Sequence, residues 1–477
     1  MFASLLLLGL LIFFLIFLLK PQRPKNFPPG PPTLPVLGNL LHLSTDNLLN
    51  DFERLRKSYG DVFSVFIGPQ PAVVINGLKA MKEALVIKGM DFAGRPQDMF
   101  VNHVTQDIAV LQQPGIVLEN YGPVWREHRR FALMTLRNFG LGKKSMEERI
   151  HEEIQHTIKT LENSIGLSFP QVMFHNAASN IVCQLLYGKR FEYDDEMIKV
   201  IVKCFTDNAK IANGPWAMMY DSLPMVRNLP LPFRNAFKNY EITLDINKHK
   251  ETKVPGEPRD FVDCYLDELE KKTADLSFSE DRLAGYSLDL YFAGTDSTSN
   301  TLLTGFLYLM GHPHIQERCQ QEIDVDRNNM PYMQAVIHEI QRIANVAPLS
   351  VFHATIKDTE LMGYSIPKGT MVIQNMRTVL MEEGQWKFPH EFNPENFLND
   401  KGEFVKPEAF IPFSAGPRVC LGEGLARMEL FLTMVTLLRK FKFIWPEDAG
   451  EPDFTPIFGI TLTPKPYRMK IQLRSNQ

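Results

Sequence analysis

The sequence predicts a mainly α-helical fold with small β-sheets, preceded by an N-terminal transmembrane helix. Three observations carry that expectation. Apolar residues recur at helical spacing through most of the chain beyond Lys79, with the longest run at Leu283–Met310. Strand-like runs are short and lie at the two ends of the body. The chain opens on an uninterrupted apolar stretch. Hydrophobic residues fill 44% of the 477 positions and charged residues 22%, enough apolar material for a large core. No internal repeat or long polar linker divides the body, which favours one large domain.

The stretch from Phe2 to Leu19 carries no charge and, as a helix, nearly matches a thin bilayer. Lys20, Arg23 and Lys25 follow it and no basic residue precedes it, so the positive-inside rule leaves the N-terminus in the lumen and the remainder in the cytosol. A cleaved signal peptide would need a basic leading segment and a small-residue cleavage site, and a buried core helix would need a polar face. The run has none of these, so residues 1–20 read as a membrane anchor. Residues 21–38 form a basic, proline-rich hinge built on Pro28-Pro29-Gly30-Pro31-Pro32, Pro35 and Gly38, which cannot be helix and acts as a stiff spacer. Residues 39–477 form the domain.

Within the domain, Phe63–Gly68 and Pro71–Asn76 read as strands separated by a Gly-Pro turn. Helical patterns follow at Glu147–Leu161, Asn176–Leu186, Asp195–Asn208, Asp260–Lys272 and Leu283–Met310, the last with a polar interruption at Gly294–Asn300. Pro331–Ile343 reads as a helix capped by Asn328 or Asn329, and Glu423–Leu438 as another. Thr370–Gln374, Ile460–Thr463 and Arg468–Leu473 read as strands.

A net charge of −4 gives nucleic acid no foothold. The five cysteines, Cys183, Cys204, Cys264, Cys319 and Cys420, are odd in number and lack CxxC spacing, which argues against a disulfide framework. Four of them sit in helical, apolar contexts as small core side chains. Cys420 differs. It lies in Phe413-Ser-Ala-Gly-Pro-Arg-Val-Cys-Leu-Gly422, a tight loop shaped by two glycines and a proline immediately before a helical run. A thiolate there accepts backbone N–H bonds, gains from the helix N-terminus, and is a strong electron donor to iron. Taken alone, the same turn suits a structural cysteine equally well.

The segment resembles the cytochrome P-450 signature FxxGxRxCxG, matched at Phe413, Gly416, Arg418, Cys420 and Gly422. Glu339-Ile-Gln-Arg342 is similar to its ExxR pair, Ala293-Gly294-Thr295-Asp296 to its oxygen-activation segment, and Trp125-Arg-Glu-His-Arg129 to its WxxxR motif. The proline-rich hinge, FAGRP at Phe92–Pro96, LRNFG at Leu136–Gly140 and IPKGT at Ile366–Thr370 resemble the vertebrate microsomal family 2. The resemblance covers essentially the whole chain. It implies the P-450 fold, a haem b cofactor with Cys420 as axial iron ligand, and insertion of oxygen from O2 into lipophilic substrates at the endoplasmic reticulum membrane. Trp125, Arg129, His353 and Arg418 would meet the haem propionates.

Glu339 and Arg342 share one helical face. The resemblance implies that they are buried and tie their helix to the meander before the cysteine loop, where Asn396 replaces the commoner basic residue. An amide still bonds Glu339 but adds no charge, so some stability is lost relative to the basic version. Asp296 suits a proton relay and the hydroxyl beside it suits holding a delivery water. The family pattern places threonine there. Ser297 keeps the hydroxyl and loses the methyl that restricts its rotamer, which predicts looser coupling with more peroxide released. The rival reading is that acid and hydroxyl merely satisfy a helix kink.

No GxGxxG or Walker sequence supplies a nicotinamide or phosphate site, so electrons from NADPH must arrive through a separate protein. Arg126, Arg129, Arg130, Arg137, Lys143 and Lys144 form a basic cluster that the resemblance makes a docking patch for NADPH–cytochrome reductase or cytochrome b5. By resemblance, Ile116, Leu118, Trp216, Asp289, Ala293, Ala347, Val351, Ile460 and Thr461 line an apolar pocket for fatty acids or xenobiotics. The chain departs from the family in a short connector, Glu322–Asn329, before the ExxR helix, and in lengths near Asp107–Gly115 and Leu244–Lys253. A haem-thiolate isomerase or peroxygenase shares Cys420 but needs no electron donor. A non-catalytic haem-binding isoform is the reading that the short connector motivates.

Overall fold

A computed structural model describes residues 22–44, 47–100, 103, 115–139, 144–164, 170–193, 195, 215–223, 227, 246–254, 256–271, 277–325 and 329–474. Its elements run α1 (Leu48–Tyr59), β1 (Val62–Ile67), β2 (Gln70–Ile75), α2 (Gly77–Lys82, continued by a π turn over Glu83–Ile87), α3 (Pro123–Asn138), α4 (Lys144–Asn163), α5 (Pro170–Tyr187), α6 (Pro215–Ser222), α7 (Ile246–Thr252) and α8 (Phe261–Glu270). There follow α9 (Glu280–Gly311), α10 (Pro313–Val325), α11 (Pro331–Ala344), β3 (His353–Ala354), β4 (Thr359–Leu361), β5 (Tyr364–Ile366), β6 (Met371–Gln374), α12 (Arg377–Leu380), α13 (Glu423–Lys440), β7 (Phe441–Ile444), β8 (Pro456–Ile457), β9 (Thr463–Pro464) and β10 (Lys470–Leu473). The fold is mainly helical with small sheets, as expected.

The largest sheet runs β1-β2-β6-β3. β1 and β2 pair antiparallel, β2 and β6 parallel, and β3 lies antiparallel on β6. Its strands are buried on both faces, which accounts for their near-continuous apolar runs rather than strict alternation. The other three sheets are two-stranded pairs.

Helix α9 is the spine of the molecule. The Ser279 hydroxyl caps it by accepting from the Arg282 N–H at 3.2 Å, and Glu280 and Asp281 in the first turn complement the helix dipole. Residues on all its sides are buried along most of its 32-residue length, as expected of a helix threaded through a core. Helix α5 packs along it. Phe174 stacks on Phe306 at 5.1 Å, and a Cβ at Gly294 would lie 2.7 Å from a Val182 methyl, so glycine permits the close approach.

Most expected elements lie within a few residues of their observed bounds, although α5 begins earlier, at Pro170. Two points differ. Helix α11 is capped at Met330, not by an asparagine side chain. Glu322 from α10 takes the first N–H groups instead, with its two oxygens 2.9 and 2.7 Å from the Tyr332 and Met333 nitrogens. This tertiary cap lets the short connector close without loss of helix end satisfaction. Secondly, only Thr463 of Ile460–Thr463 is strand. The Leu462 N–H bonds the Val346 carbonyl and Thr461 bonds α9, so the segment is a bend held from outside any sheet. Residues 196–208 of the helix expected at Asp195–Asn208 lie outside the described residues, as do residues 1–21 with the apolar stretch and residues 107–114. Among the described residues no helix is long and apolar enough to cross a membrane.

Candidate active site

The cysteine loop is fixed by its backbone. Gly416 has φ +73°, and a Cβ there would fall 1.7 Å from the Leu85 carbonyl oxygen, so only glycine fits. The Cys420 N–H donates to the Phe413 carbonyl at 3.0 Å. The Gly422 and Glu423 amides, at the start of α13, both point to the Cys420 sulfur and favour its thiolate, and Arg129 adds to this. Burial among the surrounding protein is the largest influence and outweighs them, and with the Glu423 carboxylate it raises the thiol overall. The residue nevertheless keeps an exposed surface, the combination expected on the wall of a concavity. The Phe413 ring lies 5.1 Å from the Arg427 guanidinium.

Beside this loop the chain buries several cations with little to balance them. Arg95 and Arg418 are 7% and 8% exposed, and Trp125 and His353 are 3% exposed. Arg418 donates to the Ala93 and Glu119 carbonyls at 2.8 and 2.7 Å and lies 4.2 Å from the Trp125 ring. Arg129 lies over the same ring at 5.4 Å and donates to the Val419 carbonyl at 2.6 Å. Arg95 donates to the Val117, Val351 and Phe352 carbonyls at 2.8, 3.0 and 2.9 Å. Burial, then repulsion from Arg95 and Arg129, pulls the Arg418 pKa down to about 8. Burial pulls Arg95 down to about 9. His353 is held well below its ordinary value by burial and the neighbouring arginines, and its Nδ1 is buried without a hydrogen-bond partner among the described residues.

Buried guanidiniums that repel one another, with an unpartnered imidazole nitrogen beside them, fit a bound dianion. The two propionates of haem would supply that charge, and Cys420 would offer a thiolate to its iron, so these residues suit the cofactor. Arg95 escaped assignment from sequence, although it sits in the FAGRP segment. No local signal separates an arginine turned inward from one on the surface.

Helix α9 carries the proposed proton-delivery pair. The Ser297 hydroxyl donates to the Ala293 carbonyl at 2.5 Å, while Ala293 itself is exposed. Asp296 is held at both oxygens. His175 Nε2 on α5 lies 3.2 Å from Oδ1, and the Thr461 hydroxyl donates to Oδ2. Asn300 Nδ2 in turn donates to Thr461 Oγ1 at 3.3 Å, linking the C-terminal bend to the helix. Neither His175 nor the Thr461–Asp296 bond is legible from local spacing.

The ExxR pair is fully buried. Arg342 makes a bidentate contact with Glu339 at 2.7 and 2.8 Å and donates to the carbonyls of Leu380, Phe388, Pro389 and Glu391. Glu339 also accepts from the Asn393 N–H at 2.8 Å and from Asn396 Nδ2 at 3.2 and 3.3 Å. The short connector thus leaves this core intact.

The other expected positions are less uniform. Ile116 is buried, Leu118 and Ala347 are half-buried, and Val351 and Ile460 are 40% and 60% exposed. The Trp216 side chain lies outside the described residues. Asp289 accepts from the Val117 N–H at 2.7 Å, and burial raises its pKa to about 7, so it pins the loop carrying Ile116 and Leu118 to α9. Of the basic cluster, Arg126, Arg130 and Arg137 are exposed on α3 while Arg129 turns inward; Lys143 and the Lys144 side chain lie outside the described residues. A separate cavity of about 630 Å³, bordered by Tyr308, Arg318, Tyr332, Phe392 and Phe454, contains none of these residues.

The family model for cytochrome P450 matches residues 28–471. Mouse cytochrome P450 2F2 is 41% identical over 471 residues, covering 94% of each chain. Human cytochrome P450 2D6 is 41% identical over 483 residues, 96% of each. Rabbit cytochrome P450 2B4 is 38% identical over 496 residues, spanning 99% of this chain and 100% of the rabbit protein. This chain therefore belongs to the cytochrome P450 family, within the vertebrate microsomal family 2 of haem-dependent monooxygenases.

Proposed function

We propose that this chain inserts one oxygen atom from O2 into lipophilic organic substrates, fatty acids or xenobiotics, with Cys420 as the haem-iron ligand. The observation that carries the assignment is the exposed Cys420, served by two helix-start amides, beside the buried Arg95, Arg418 and His353 and the half-buried Arg129. When bound, haem supplies the oxygen-activating chemistry. Arg95, Arg129, Arg418, Trp125 and His353 hold its carboxylates. Asp296 accepts protons from outside and Ser297 passes them inward from Oγ. Glu339, Arg342 and Asn396 hold the meander that presents the cysteine loop. The exposed apolar side chains of Ala293, Val351 and Ile460 favour lipophilic substrates.

Electrons come from NADPH through NADPH–cytochrome reductase, with cytochrome b5 as a second donor, and both dock on the exposed Arg126, Arg130 and Arg137 of α3. Residues 1–20 anchor the chain in the endoplasmic reticulum membrane, residues 21–38 form the hinge, and residues 39–477 form the catalytic domain on the cytosolic side. The test is reconstitution with reductase in lipid and a panel of fatty acids and drug-like compounds under labelled dioxygen. Label in the product that depends on both reductase and NADPH supports the reading. Equal turnover with peroxide alone would assign a peroxygenase, and haem binding with no turnover of any kind would assign a non-catalytic isoform.

A further inference from the structure

We propose that His175 is the outer proton donor to Asp296, a positioning residue that acts on oxygen chemistry only through that carboxylate. The inference rests on the reading of Asp296 as the relay. Helices α5 and α9 meet along a polar seam in which matching positions face one another. His175, Ser179 and Val182 on α5 meet Asp296, Tyr291 and Gly294 on α9. The spacing of four and three residues places the α5 trio on one face. At Gly294 the helices approach closely enough to exclude a side chain, which brings the imidazole within bonding reach of the carboxylate.

The geometry assigns direction to the bond. His175 Nε2 lies 3.2 Å from Asp296 Oδ1, a pure acceptor when ionised, so Nε2 carries the proton. Ser299 Oγ donates to the Asp296 carbonyl at 3.1 Å and lies 3.4 Å from the same Nε2, which keeps the ring on this face of α9. Thr461 occupies the other carboxylate oxygen, so the oxygen facing His175 is the one left for exchange. Both side chains keep about a quarter of their surface accessible, 25% for His175 and 26% for Asp296. A relay needs that access at its outer end, and a purely structural buried pair does not.

The step balances without a co-reactant other than water. The Nε2–H bond of His175 breaks and an O–H bond forms at Asp296 Oδ1. His175 Nδ1 takes a proton from solvent, so the ring changes tautomer and the net transfer is one proton. Asp296 then releases its proton towards Ser297, and the ring resets when Nδ1 returns its proton to solvent and Nε2 takes one from water, so each cycle moves one solvent proton inward.

The experiment compares the haem-loaded, reductase-supported full-length protein with its His175→Phe, His175→Gln and Asp296→Asn variants. Peroxide released per NADPH and the solvent isotope effect on coupled turnover are measured for each, after a carbon monoxide difference spectrum establishes haem loading. Glutamine can still donate to Asp296 but cannot change tautomer. Both His175 variants are expected to raise peroxide per NADPH by about threefold or more, short of the ~100-fold loss that removing a direct general acid can bring. The solvent isotope effect is expected to rise with it. Wild-type behaviour in His175→Gln alone would overturn the relay, because a fixed hydrogen bond would then suffice. Wild-type behaviour in both His175 variants, with Asp296→Asn uncoupled, would overturn the role of His175 and leave Asp296 standing. Coupled turnover in Asp296→Asn would overturn both readings. Imidazole nitrogen NMR of the reduced carbon monoxide form gives a readout independent of turnover. A protonated Nε2 whose signal moves in Asp296→Asn supports the proposal, and an unprotonated Nε2 would overturn it.

Discussion

Replacing Asn396 with leucine, a side chain of similar size, isolates what its amide does in the buried ExxR core. Asn396 Oδ1 accepts from the Phe388 N–H at 2.8 Å, and Nδ2 donates to the Phe388 carbonyl at 3.0 Å and to both oxygens of Glu339. Leucine removes a donor to a charged acceptor, worth about 1.5–3 kcal/mol, and leaves the Phe388 N–H without its partner, a further ~1–3 kcal/mol. Glu339 keeps Arg342 and the Asn393 N–H, so the pair itself survives. The expected loss is on the order of 3 kcal/mol, a large part of the margin by which a domain stays folded. An arginine at 396 restores the donor to Glu339 but cannot accept from Phe388, so the basic version is expected to lie within about 1 kcal/mol of the native protein. That revises the simpler expectation that a basic residue is the stronger choice. The assay is urea unfolding of the haem-loaded protein, followed by helical circular dichroism and by loss of the reduced carbon monoxide band. A leucine variant within ~0.5 kcal/mol of the native protein, or an arginine variant more stable by over ~2 kcal/mol, would contradict this role for the Asn396 amide.

Other outcomes follow from the same geometry. Ser297→Thr adds a methyl that restricts the hydroxyl bonded to Ala293, and peroxide per NADPH is expected to fall roughly twofold; parity in a peroxide assay sinks that idea. Arg95→Gln removes a buried cation and its carbonyl anchors, and haem transfer to a high-affinity acceptor is expected to quicken by ~10-fold or more. An unchanged transfer rate would place the propionates elsewhere. His338 Nδ1 sits 2.7 Å from the Gln334 carbonyl and Nε2 lies 2.7 Å from Arg427, so the ring is neutral; burial and then Arg427 lower its pKa from 6.5 to about 4. The unfolded chain gains this proton first, so stability is full above pH 6.5 and falls as pH drops from there towards 4. In His338→Phe that part of the acid slope is expected to flatten in pH-resolved unfolding, and an unaltered slope counts against the assignment.

The cysteine loop and the ExxR pair were legible because each is a contiguous run whose spacing alone fixes its local geometry. Cys420 two residues beyond Arg418, and Glu339 one helical turn from Arg342, need no knowledge of distant partners. The long helix α9 was legible for the same reason. What escaped depends on chain segments far apart. His175 and Thr461 reach Asp296 across 121 and 165 residues, and Glu322 caps α11 from the preceding helix. Arg95 reads from sequence as any basic residue before a proline, and only its burial reveals its role. Ile460–Thr463 has the composition of a strand, yet its polar groups bond α9 and the Val346 carbonyl, so tertiary contacts override the pattern.

The most direct test of the central claim is the carbon monoxide difference spectrum of the dithionite-reduced full-length protein, recorded beside Cys420→Ser. A long-wavelength, thiolate-type Soret band is expected in the native protein and is lost in the serine variant. A shorter-wavelength band from native protein that is folded by circular dichroism, or a thiolate-type band that persists in Cys420→Ser, would contradict it.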